Sequence, residues 1–136
     1  GYAFCIANLG HLLFQKGDFR SAQKKHEEAL DIFGKKKNQL GVANETANIG
    51  NILCISGDIK NGLMLLQWGL NIHQQVGYKY GVATDLKLIG IHNLPLSKEV
   101  TLQKLNEAKA IFYEIQNTHE AEELDKLIND IKRNRY

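Results

Sequence analysis

A self-similarity with a 40-residue period constrains this chain more than any other feature. Setting residues 1–40 against 41–80 gives ten identities: Gly1/Gly41, Ala3/Ala43, Ala7/Ala47, Asn8/Asn48, Gly10/Gly50, Leu13/Leu53, Gly17/Gly57, Asp18/Asp58, Leu30/Leu70 and Ile32/Ile72. Chance alone gives about two or three at such a composition, and a period of this size marks an array of stacked supersecondary units. A third copy opens with Gly81-Val82-Ala83 and reaches Ile89-Gly90. Gly1 fits the same register, with Ala3 in register beside it. The expectation is that residue 1 continues from an upstream repeat and that the chain is a fragment of a longer protein.

Each unit reads as two helices. In the first unit Ile6, Leu9, Gly10 and Leu13 recur at helical spacing from about Ala3 to Gln15. A glycine in mid-helix costs about 1 kcal/mol relative to alanine. Its return at 10, 50 and 90 therefore predicts close approach of a neighbouring helix. Gly17-Asp18 ends the helix, because glycine takes the left-handed cap and aspartate accepts from the next helix's free amides. The second helix, Phe19 to about Lys36, is expected to bury Phe19, Ala22, Ala29, Leu30, Ile32 and Phe33, with Asn38–Gly41 as the return loop. The second unit repeats the plan: about Val42–Ser56, then Ile59–Val76, with Gly77–Gly81 as the return. The third begins at Val82 and departs after Gly90, where Pro95 ends the helix and Ser97 can cap the next. Glu107-Ala108 and Ile111-Phe112 echo Glu28-Ala29 and Ile32-Phe33 at an offset of 79, so this unit is one residue short. Asn117, with Glu120 three residues on, resembles a capping box that opens a last helix, about Thr118–Arg133. Its apolar stripe of Ala121, Leu124, Leu127, Ile128 and Ile131 leaves the other side charged, as the open end of a solenoid requires. The prediction is all-α, a single domain of seven helices: repeats at about 1–40, 41–80 and 81–117 and a capping helix at about 118–134.

Charge and cysteine usage narrow the function classes. A net charge of +2 implies neither a nucleic-acid nor a membrane-surface partner. No run of 18 apolar residues exists to cross a bilayer. Cys5 and Cys54 have no CxxC spacing and read as buried thiols of a reducing, cytoplasmic setting. His11, His26, His73, His92 and His119 have no i+3 or i+4 ligand partner of the HExxH kind, so neither a metal nor another cofactor is expected. With no phosphate loop and no base beside either cysteine, the chain is not expected to be an enzyme.

Asn8-Leu9-Gly10, Leu13, Gly17-Asp18-Phe19, Ala22 and Ala29-Leu30 resemble the tetratricopeptide repeat. The 40-residue period and the Asn-Leu/Ile-Gly signature are similar to the extended-helix subgroup of Pins/LGN-type adaptors and kinesin light chains. His26 and Leu66 stand where that family usually has an aromatic residue, and Gly62 and Gly69 where it has alanine. The resemblance implies a right-handed superhelix whose first helices line a groove for peptides or extended protein segments. It also implies a protein-binding scaffold or adaptor. The groove floor would then combine Phe4, Ala7, Asn8, His11 and Gln15 with Asn44, Ala47, Asn48, Asn51 and Ile55, and with Thr84, Lys87 and Ile91. Ala7 and Ala47 stand where a carboxylate-clamping member would carry lysine.

Asn8, Asn48 and Asn51 are the best candidates to hold a peptide backbone, since amides both donate and accept. The same side chains can instead bond across neighbouring helices. Met64, Leu65 and Trp68 replace Lys24, Lys25 and Glu28 of the first unit and Gln103, Lys104 and Glu107 of the third. They form either a second interface, with self-association as one outcome, or packing altered by Gly62 and Gly69. Two alternatives stand beside the interaction module: a sensory array controlling an effector domain elsewhere in the protein, and a self-assembling structural array.

Overall fold

The computed structural model describes residues 1–134, and among them every regular element is a helix. Seven follow one another: α1 Tyr2–Gln15, α2 Phe19–Lys35, α3 Gln39–Ile55, α4 Ile59–Val76, α5 Lys79–His92, α6 Lys98–Glu114 and α7 Thr118–Lys132. Gly1–Val76 forms one compact unit, in which α1 packs on α2, α2 on α3 and α3 on α4. A second unit opens at Gly77, with α5 packed on α6 and α6 on α7.

The helix ends follow from local chemistry. Gly17 and Gly57 take φ of +85° and +103°, the left-handed stop that side chains resist. The next residue then caps the following helix: Asp18 accepts from the Ser21 amide at 3.2 Å and Asp58 from Asn61 at 3.3 Å. Ser97 does the same for Val100 after the Pro95 turn, at 3.2 Å. Each such cap is worth about 1 kcal/mol.

The return turns are tighter than the sequence suggests. Lys37 (φ +55°) makes the bend, Asn38 caps α3 through the Gly41 amide at 3.0 Å, and Gly41 lies buried inside the helix. It is glycine because a Cβ there would sit 2.4 Å from the Phe33 ring. Gly81 is likewise buried within α5, after a bend at Gly77 (φ +75°). Two further expectations change. Glu120 does not close a capping box; its carboxylate meets Lys87 Nζ at 3.4 Å, while Asn117 alone caps α7. Cys54 is buried, but Cys5 is exposed.

The repeated mid-helix glycines sit where paired helices touch. A Cβ on Gly10 would meet the His26 ring at 2.8 Å, one on Gly50 the Leu66 amide at 3.0 Å, and one on Gly90 the Leu105 side chain at 3.2 Å. His26, Leu66 and Leu105 are themselves related by the offsets of 40 and 79. One turn before Leu66 and Leu105, Gly62 and Thr101 meet the same glycines: a Cβ on Gly50 would lie 2.8 Å from the Gly62 oxygen, and Thr101 Oγ1 donates to the Gly90 carbonyl at 2.7 Å. The α3–α4 pair approaches closest: a Cβ on Gly62 would lie 2.7 Å from the Gly50 oxygen and 2.4 Å from Cys54 Sγ. On α2 the fully buried stripe is Ala22, His26, Ala29 and Phe33, whereas Phe19, Leu30 and Ile32 are half-buried. In the second unit Asp125 of α7 ties to α6, accepting from Lys109 at 2.9 Å and from the Tyr113 hydroxyl at 2.8 Å.

Gly62→Ala gains about 1 kcal/mol of helix propensity but forces two backbones apart, which costs about 1–3 kcal/mol. Net destabilisation is expected in urea unfolding at an unchanged slope, while Gly34→Ala, with nothing within 4 Å, stabilises by about 0.5 kcal/mol. Hydrogen bonds from Lys109 and then Tyr113 hold the Asp125 carboxyl below its usual range. Its contribution is therefore complete above the ordinary carboxylate value and is lost as pH falls through the lowered one. Asp125→Asn is expected to remove that part of the acid dependence of stability, read by titrating helicity below about pH 5.

Candidate functional site

The site grows from one buried histidine. The stripe facing the first helix carries leucine at this height in the other copies, Leu66 and Leu105. Here it carries His26, and Gly10 of α1 makes room for the ring. Burying a ring nitrogen is costly unless it is hydrogen-bonded. Glu45 of α3 satisfies it: His26 Nδ1 donates to Glu45 Oε1 at 2.6 Å, and both side chains are buried. The second carboxylate oxygen faces Asn48 Nδ2 at 3.5 Å, one turn along α3. On the other side the exposed His11 of α1 packs edge-on against His26, with ring centroids 5.0 Å apart. His11, His26, Glu45 and Asn48 thus form one polar cluster drawn from three helices.

Burial first, and the neighbouring His26 second, push the His11 imidazole down from its usual value, partly opposed by Glu45. A neutral ring offers one donor and one acceptor. Asn48, facing Glu45, adds a half-buried amide to the cluster. The cluster can therefore present donors and acceptors together without a full charge at its surface, which suits an amide backbone better than an ionic group.

The other expected residues divide clearly. Asn8, His11 and Gln15 are exposed on α1, as is Phe4, whose ring meets Phe33 edge-to-face with centroids 5.2 Å apart. Ala7 and Ala47 are buried, Asn48 and Asn51 are half-buried, and Ile55 is exposed. Asn44 bonds across helices, its Oδ1 accepting from His73 Nε2 of α4 at 2.8 Å. Lys87, in the second unit, faces Glu120, and Thr84 donates back to the Tyr80 carbonyl at 2.9 Å. Sequence reasoning missed Glu45 and its repeat counterpart Asp85, both buried. The signal was present: acids 40 residues apart, each on a stripe otherwise apolar.

The second candidate surface is only partly what the comparison of copies suggests. Met64 and Trp68 are 57% and 59% exposed, and their counterparts Lys24, Glu28, Gln103 and Glu107 are exposed too. Leu65 is half-buried and packs toward Gly50, so it belongs to the helix contact. Gly62 and Gly69 bring α4 closer to α3; Trp68 does not fill the space of their missing methyls. A shallow depression of about 330 Å³ lies on the same unit, between Lys37, Gln39, Val42 and Ile72. Among the described residues no three His, Cys, Asp or Glu side chains are grouped to hold a metal. No helix among them is long and apolar enough to cross a membrane.

Removing one partner of a buried hydrogen-bonded pair leaves the other unsatisfied, at about 1–3 kcal/mol and more where that group is charged, whereas replacing both by apolar groups is often close to neutral. Glu45→Ala is accordingly expected to destabilise by about 3 kcal/mol, and His26→Leu combined with Glu45→Leu by much less, in urea unfolding of the whole chain. A loss in the double variant as large as that of Glu45→Ala, or larger, would contradict this coupling. The chain matches no family model and no curated protein.

Proposed function

We propose that this chain is a protein-interaction module of the tetratricopeptide kind, a right-handed superhelix that binds a peptide or extended partner segment on its first helices. The observation that carries the reading is the gathering of His11, His26, Glu45 and Asn48 from α1, α2 and α3. The recurrent glycine contacts at 10, 50 and 90 and the order of paired helices support the repeat class. In this reading Asn8, His11, Gln15, Asn48 and Asn51 contact the partner. Asn44 and Lys87, which hold His73 and Glu120, position their helices instead. The reading assigns no catalytic step, cofactor or nucleic-acid ligand. It places the protein in the cytoplasm as a scaffold or adaptor.

A second reading, self-association through Met64 and Trp68, has their exposure in its favour. Trp68→Asp is expected to keep full helicity and to shift sedimentation toward monomer, and a wild-type chain that is monomeric at high concentration sinks this reading.

Each amide hydrogen bond to a partner contributes about 0.5–1.5 kcal/mol. His11→Ala, Asn48→Ala and Asn51→Ala together are therefore expected to weaken partner binding by about 100-fold, measured by titration of the captured partner. Undiminished affinity in the triple variant removes these side chains from the binding face.

A further inference from the structure

The outer face of α4 differs from its counterparts along its whole length. Lys60 is the only Asp, Glu, Lys or Arg in this helix, whereas α2 and α6 mix both signs throughout. At i, i+4, i+8 and i+12 the face carries Met64, Trp68, Ile72 and Val76, exposed or half-buried, as one apolar ridge. Stacking of units does not cover this ridge: α2 has helices packed after it, and its counterparts Lys24 and Glu28 are exposed. A face depleted of charge and carrying Met and Trp has the composition of an interface core. The ridge also has a shape. Trp68 stands out into solvent, and one turn on Ile72 walls the depression of about 330 Å³ completed by Lys37, Gln39 and Val42. That volume is at the low end of the range that small ligands fill, so it admits one ring system. A protruding ring and a hollow able to take one therefore lie a single turn apart on one helix.

We propose that two copies of this chain pair through α4, antiparallel about a two-fold axis at the height of Leu70, with Trp68 of each seated in the Lys37–Gln39–Val42–Ile72 hollow of the other. The inference rests on the self-association reading above and specifies its geometry. An isologous contact needs a surface that is complementary to itself. This ridge is: the axis at Leu70 sets each Trp68 over the other copy's Ile72 and each Met64 over the other's Val76. The charges agree. No acid on α4 faces another, and the two Lys60 side chains fall at opposite ends of the pair. Lys37, on the wall of the hollow, meets the face of the incoming indole in a cation–π contact that strengthens as water leaves. A different protein would have to supply both a ring and a hollow at this same spacing, which a second α4 already does.

Trp68 is the only tryptophan of the chain, so its emission reports its own seating. In the wild type that emission is expected to shift to the blue as concentration rises, in step with dimer seen by sedimentation. Trp68→Ala removes the ring and is dark, while Ile72→Lys charges the hollow beside Lys37 and keeps the ring. Each variant alone loses both seated rings, and a mixture of the two regains one. With each seated ring worth about tenfold, dimerisation weakens about 100-fold in either variant and about tenfold in the mixture. Adding the dark Trp68→Ala chain to Ile72→Lys is therefore expected to shift the emission of the latter to the blue. Should Ile72→Lys lose helicity, Gln39→Arg, at an exposed wall of the hollow, takes its place. A wild type that dimerises, with no shift on mixing the variants, overturns the seating and leaves self-association standing. A wild type that stays monomeric at about 1 mM overturns both and leaves the face to another kind of partner.

Discussion

An absent side chain governs this structure. Where the first helix of each unit crosses its partner, Gly10, Gly50 and Gly90 let the second helix come within the space a methyl group would occupy. Close-packed interiors do not tolerate such an overlap. The glycine therefore sets which residues face each other, and His26, Leu66 and Leu105 meet it at equivalent heights. The contact grades from a ring against Gly10 to backbone against backbone at Gly50–Gly62. One device thus serves three helix pairs with different side chains.

That grading explains why the polar cluster forms at the Gly10 contact. Only opposite Gly10 does a ring fill the contact, and only there is the ring a histidine that needs an acceptor from the next helix. Glu45 supplies it, so a bond between α2 and α3 is locked to the packing between α1 and α2. A buried pair of this kind is weak evidence for stability, and its better-attested use is to set register. Here it also links His11, which packs on His26, to Asn48, which faces Glu45.

Much of this was legible in the chain. The 40-residue period gave the helix count and, through the recurring Gly10, Gly50 and Gly90, the close helix contacts, because a glycine in mid-helix is costly without a reason. Gly41 and Gly81 misled because the same residue type serves turns and close packing, and only the neighbouring Phe33 ring distinguishes the two for Gly41. Glu45 was missed because an acid on a helix reads as solvated until its partner, 19 residues earlier in sequence, is seen to be buried beside it. Asn44 was expected to face a ligand and bonds His73, since an amide serves either role and spacing along one helix cannot show what lies on the next. Cys5 differs from Cys54 in exposure, which depends on what covers α1 rather than on α1 itself.

The central claim is that a partner binds over the cluster that joins α1, α2 and α3. Amide hydrogen exchange on the chain, with and without the protein it captures, tests this most directly. The account predicts that partner-dependent protection will concentrate at residues 8–15 of α1 and 44–51 of α3. Protection confined to residues 61–72 of α4, with α1 and α3 unchanged, would contradict it.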